Sequence, residues 1–165
     1  IQDAMGWQDC HLHGFDIKRK PAIKIRLPYA NSIIHIASPH EEPDSFTDEE
    51  LLYTTEVPIK DYFKKEKDKV MYVYDYGDGW QHEVLLEKIL IKNGKVKYPI
   101  CADGQLACPP EDCGSIPGYY ECIEAVKNKD NSEGLIDWIG DWRLDDFDPK
   151  KIVFTEPKKR FKNSA

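Results

Sequence analysis

A chain of 165 residues with 41% hydrophobic side chains fits one domain, too apolar to stay disordered and able to bury roughly two-thirds of its unfolded surface. Its net charge of −7 works against binding nucleic acid over the whole surface, because phosphate attraction needs a positive face. No apolar run reaches the roughly 18–20 residues of a membrane helix, and "IQDAMGW" is not expected to be a signal peptide. Cys10, Cys101, Cys108, Cys113 and Cys122 are odd in number. That favours a reducing cytosol over a disulfide framework and makes a cytoplasmic location the expectation. The chain opens without methionine, on what reads as a helix end. Residues 1–165 are therefore expected to be a single domain lacking some N-terminal sequence.

In chain order, residues 1–5 read as a last helical turn stopped by Gly6, where a left-handed C-cap favours glycine. "AIKIRL" at 22–27 alternates apolar and basic residues and predicts a half-buried strand; "NSIIHIASP" holds another. "HEEPDSFTDEE" predicts an exposed acidic loop, with Thr47 and Glu50 spaced as a capping box. "PIKDYFKK" at 58–65 predicts a short helix with proline in its first turn. Residues 70–76 and 80–91 predict the strands of a hairpin. The second carries Val84, Leu86 and Leu90 on one face and Leu85, Ile89 and Ile91 on the other, the pattern of a strand covered on both sides. Asp78-Gly79 predicts a tight type I′ turn, and Asn93-Gly94 a second turn into a strand at 95–98.

After Pro99 comes "ICADGQLACPPEDCGSIPG", too long for an ordinary connection and so a candidate functional or metal-organised loop. A helix is expected over 119–127, a second one N-capped by Ser132 and carrying Leu135, Ile136 and Ile139, and a short last one opened by Asp148-Pro149.

Taken together, "AMGWQDCHLHGF", "YVYDYGDGWQHEVLLEK", "YPICADGQLACPPEDCG" with "PGYYECIEAV", and "DFDPKKI" resemble the plasmid pRiA4b ORF-3-like family in order and spacing. Members are often labelled transposon-element passenger proteins. The resemblance implies an α+β domain with a curled, mostly antiparallel sheet, a central long hairpin and flanking helices. It also implies a longer N-terminal strand and helix before "AMGW". The mobile-element label describes genomic company and carries no chemistry.

Three constellations could do chemistry. Cys101, Cys108 and Cys113 could supply three thiolates to zinc, with His11, His13 or His82 as the fourth ligand of a tetrahedron. The spacing lacks the usual C-x2-C pair, and buried small apolar cysteines are the competing reading. His11 and His13, if extended, would face one side of a sheet as adjacent ligands. At the hairpin, His82 with Asp78 or Asp75 across the turn could act as a general base, or Asp78 could simply shape the turn while His82 pairs across strands. Glu111 with Asp112 offers a carboxylate pair, although neighbours in sequence usually diverge in direction.

No P-loop, G-x-G-x-x-G or G-x-S-x-G is present, which lowers nucleotide and serine-hydrolase readings. The leading expectation is a non-catalytic binding or interaction module, with a protein partner or mobile-element machinery. The rival is a metal-dependent, hydrolase-like enzyme using the histidines and the cysteine loop. A third is nucleic-acid binding through "KIRLPY" and the basic Lys158, Lys159, Arg160 and Lys162.

Overall fold

Burial along "KVMYVY" alternates strictly, because successive side chains of an extended chain point to opposite faces. A computed structural model describes residues 1–18, 33–43, 51–156 and 159. Its strands are β1 (His13–Lys18), β2 (Ile33–Ala37), β3 (Leu52–Tyr53), β4 (Lys69–Tyr74) and β5 (Trp80–Leu85). Among the described residues they form an open sheet in the order β3-β2-β1-β4-β5. Of these described pairings, only the short β2–β3 one is parallel. Among the described residues, the sheet lies in a compact unit within His11–Lys92; a second unit comprises Ile1–Cys10 with residues 93–156.

Register aligns Ile36 with Phe15, Phe15 with Tyr72 and Tyr72 with His82, so these side chains share one face. Ile36, Val70, Tyr72 and Tyr74 are buried there. Ile36 and Val70 each contribute about 1.5–3 kcal/mol by leaving water.

The hairpin predicted at 70–91 is present, with three differences. Its loop is not the two-residue type I′ turn. Residues 75–79 connect the strands, Asp75 and Gly79 take positive φ, and the Gly79 amide donates to the Asp75 carbonyl at 2.6 Å. Asp75 Oδ1 then accepts from the amides of Gly77 and Asp78, so it is Asp75 that closes the turn. Secondly, β5 ends at Leu85 and is outermost in the sheet. Ile89, Leu90 and Ile91 are 62%, 79% and 99% exposed, so apolar residues on both faces did not mean a strand covered on both sides. Finally, residues 95–98 pair with no strand among the described residues; Asn93 makes a turn, accepting from the Lys95 amide through Oδ1 and from the Val96 amide through its carbonyl.

"PIKDYFKK" forms a single 3-10 turn, Ile59–Asp61, preceded by Pro58 in extended conformation. The strand predicted at 22–27, the Thr47–Glu50 capping box, and Lys158, Arg160 and Lys162 lie outside the described residues.

The other unit holds α1 (Gln2–Met5), α2 (Ser115–Asn128) and α3 (Leu135–Ile139). Gly6 ends α1 in the left-handed conformation, with its amide on the Gln2 carbonyl. The helix expected at 119–127 is α2, which starts earlier and turns its buried Cys122 inward. Ser132 does not cap α3. Gly134 holds the N-cap position, and Asn131 Oδ1 accepts from the amides of Ile136 and Asp137, satisfying N-terminal donors that the helix itself leaves open. Asp148 caps the turn Pro149–Lys151 as expected, accepting from the Lys150 amide at 2.9 Å. The fold class is α+β: a mostly antiparallel sheet and helices segregated along the chain.

Candidate functional site

In the helical unit, two tryptophans hold the "CPPED" stretch. Trp7, 6% exposed, donates its indole N–H to the Pro109 carbonyl at 2.9 Å. Trp142 donates to the Cys108 carbonyl at 2.8 Å. Neither Pro109 nor Pro110 has an amide to pair, so the loop is fastened through its carbonyls and through the Ala107 amide on Leu144 at 2.7 Å. Glu111 is fixed in turn, accepting from the Gln8 amide at 2.6 Å. This scaffold borders a cleft of about 620 Å³, with Trp138, Trp142 and Phe147 along its walls. Its charged lining is Glu111, Asp112, Asp146 and Asp148 against Lys151. Trp138 is 52% exposed, so part of its ring is open to a ligand.

The cysteine loop runs beside this cleft. The Cys101 thiol donates to the Asp103 carbonyl at 3.5 Å and the Cys113 thiol to the Ser115 carbonyl at 3.9 Å. Burial pushes the Cys108 thiol well above its ordinary pKa, and the Glu111 carboxylate and Cys113 thiol push it the same way. A cation bound at Cys108 would first have to displace that proton, so metal binding there would be strongly coupled to pH. Burial also raises Tyr119, with Cys108 next in effect; its ring meets Trp142 edge-on at 6.1 Å.

The three predicted histidines belong to the sheet unit. His13 opens β1 and lies 5.9 Å, ring to ring, from Tyr72; His82 lies 5.8 Å from the same tyrosine. β4 runs between their strands, and Tyr72 is the shared neighbour. His11 packs edge-on to Tyr74, with Nε2 3.9 Å from Asp75 Oδ2. That imidazole and carboxylate both have metal-ligand chemistry, and Asp75 was not among the ligands expected from sequence. Asp78 contributes its amide to the Asp75 turn.

Burial lowers the pKa of His82, outweighing backbone hydrogen bonds at Tyr72 and Trp80 that raise it. The unfolded chain, at the ordinary value of about 6.5, therefore binds the proton first as pH falls. Stability from this group is complete above that value and is lost as pH drops through it. Thermal melts at pH 7.5 and 5.5 check this: the wild type is expected to lose more stability on acidification than His82→Gln.

Sequence reasoning missed a polar network on the opposite sheet face. Asp16 accepts from His35 Nδ1 at 2.7 Å. His35 Nε2 lies 3.3 Å from the Tyr76 hydroxyl and 3.4 Å from Glu41 Oε1, and the hydroxyl donates to Glu41 Oε2 at 2.8 Å. Burial, then Glu41, raises Tyr76 far above an ordinary phenol, so it acts as a donor. Gly14 makes the packing possible, since a Cβ there would sit 2.5 Å from His35 Cε1 and 2.7 Å from the Tyr76 oxygen. The signal was faint: His35 lies in a predicted strand, but no strand was expected over the segment that carries Asp16.

An open, mostly antiparallel sheet together with a helical unit built around the "CPPED" loop defines an α+β protein whose candidate site is a fixed cleft. The chain belongs to the plasmid pRiA4b ORF-3-like protein family, whose model matches residues 1–153. It is 27% identical over 165 residues to the uncharacterized protein y4hQ of Sinorhizobium fredii (strain NBRC 101917 / NGR234), covering 96% of this chain and 72% of that one. It is also similar to the crystal structure of MM3350, a protein of unknown function from Methanosarcina mazei Go1. The TM-score is 0.71 at 34% identity, over 93% of this chain and 79% of the other. No helix among the described residues is long and apolar enough to cross a membrane.

Proposed function

We propose that the protein is a binding module whose helical-unit cleft holds a basic segment of a partner protein. The observation that carries this reading is the cleft's lining: four carboxylates against one lysine, beside a half-exposed tryptophan. An ammonium or guanidinium group over an indole face gains roughly 0.5–2 kcal/mol, and nearby carboxylates add charge attraction that salt screens. The two indole bonds to the loop hold the carbonyls of Cys108 and Pro109 in place before any ligand arrives, which limits the ordering cost of binding.

Basic segments are what nucleic-acid-handling proteins present to phosphate, and this joins the cleft's chemistry to the mobile-element setting that the family label implies. A cytoplasmic setting is part of the same proposal, supported by five cysteines of which none forms a disulfide.

Fluorescence titration with an Arg/Lys-rich peptide tests the reading. Trp138→Ala, an exposed change outside the loop's fastening, is expected to weaken binding about tenfold, the equivalent of ~1.4 kcal/mol. Asp146→Asn is expected to weaken it by a smaller factor and to reduce its salt dependence. Equal affinity for wild type and both variants would remove the cleft as the site.

A further inference from the structure

The sheet unit contains a cavity that neither the histidines nor the polar network uses. Its floor is the buried face of the sheet, formed by Phe15 and Ile17 of β1, Ile36 of β2 and Val70 of β4. Across from them, Val57, Tyr62 and Phe63 come from the segment around the single 3-10 turn. The space is about 260 Å³ and is partly open to solvent. A dry cavity of about 150 Å³ already accepts a benzene ring.

We infer that this cavity is a binding site for a small neutral molecule with a flat, two-ring aromatic system. Size selects the ring number, since the space exceeds what one ring fills. Shape selects aromatic over aliphatic: Phe15, Phe63 and Tyr62 supply ring faces and edges that favour offset or edge-on aromatic contact. Electrostatics selects neutrality, because among the described residues no charged side chain lines the space; the polar side chains there are Thr54 and Tyr62. A charged guest would be stripped of water with nothing to pair it. A few directed polar groups in a largely apolar pocket is the ordinary composition of a small-molecule site. The inference is independent of the cleft in the helical unit and stands if that reading fails.

Indole is the probe, and free tryptophan, with the same rings plus two charges, is the control. Titrating indole into the ¹⁵N-labelled protein is expected to give saturating shifts at Phe15, Ile17, Ile36 and Val70, with tryptophan giving none. Val57→Phe, which fills the space from the wall opposite the sheet, is expected to cut indole affinity at least tenfold. Val57→Leu, a gentler filling that keeps the fold if the larger one does not, is expected to weaken it in the same direction. Three results would overturn the proposal: no saturating shift with indole, shifts centred elsewhere, or unchanged affinity in a folded Val57 variant. Octan-1-ol binding in place of indole would equally overturn it, by assigning the cavity to aliphatic chains.

Discussion

Gly118→Ala is expected to destabilise the helical unit by about 3 kcal/mol, the upper end of overpacking costs. The ordinary expectation has the opposite sign: alanine in place of a helical glycine gains roughly 0.8–1 kcal/mol through backbone entropy. Here a Cβ at position 118 would run into the Cys113 carbonyl oxygen. That atom is backbone at the end of the "CPPEDC" stretch, held next to residues of positive φ at Asp112, Gly114 and Ser115, so it cannot swing aside as a flexible side chain would. The first turn of α2 and the cysteine loop would have to part, and the Gly118 amide bond to Gly114 at 3.2 Å would be lost with them. Urea denaturation measures the difference. Gly114→Ala is the control: nothing lies within 4 Å of its Cβ position, and only its φ of 85° opposes the change, at about 1–2 kcal/mol. A stabilised Gly118→Ala protein would show that loop and helix are not in this contact.

Trp7→Ala is expected to cost about 3–5 kcal/mol, as truncating a buried aromatic generally does. Trp7 is almost completely buried and its indole satisfies the Pro109 carbonyl, so the substitution opens a cavity and strips a partner from the loop in one step. Against a total stability of about 5–15 kcal/mol, that loss would leave the cleft without its floor. Trp7→Phe separates the two effects. It keeps most of the ring and deletes the hydrogen bond, and should cost about 1–3 kcal/mol. Chemical denaturation of both variants gives the values, and both should weaken basic-peptide binding in that order.

Much of the fold was legible where local chemistry decides it. Glycine at the end of α1, Asp148 before Pro149, and the alternation of β4 and β5 all act over a few residues. What failed was decided by distant partners. Residues 86–91 have the composition of a strand, but composition does not say whether anything lies alongside them. Asp78-Gly79 suits a two-residue turn, yet the carboxylate of Asp75 organises a longer one. Ser132 is a good N-cap residue and is passed over, because Asn131 reaches the same helix end with two bonds. The candidate site followed the same division. Glu111 and the cysteine loop stood out by residue type, whereas nothing local tied Trp7 or Trp142 to that loop: their partners are 102 and 34 residues away. His35 escaped notice because its three partners lie in three separate stretches of the chain.

The most direct test of the cleft as a site for basic protein segments is the indole N–H spectrum of the ¹⁵N-tryptophan-labelled protein, followed during addition of an Arg/Lys-rich peptide. The predicted result is a saturating shift of the Trp138 signal. The affinity should fall as ionic strength rises from about 0.05 to 0.3 M, because the attraction is screened over a shortening Debye length. An unmoved Trp138 signal, or the same response to a peptide rich in aspartate and glutamate, would contradict it.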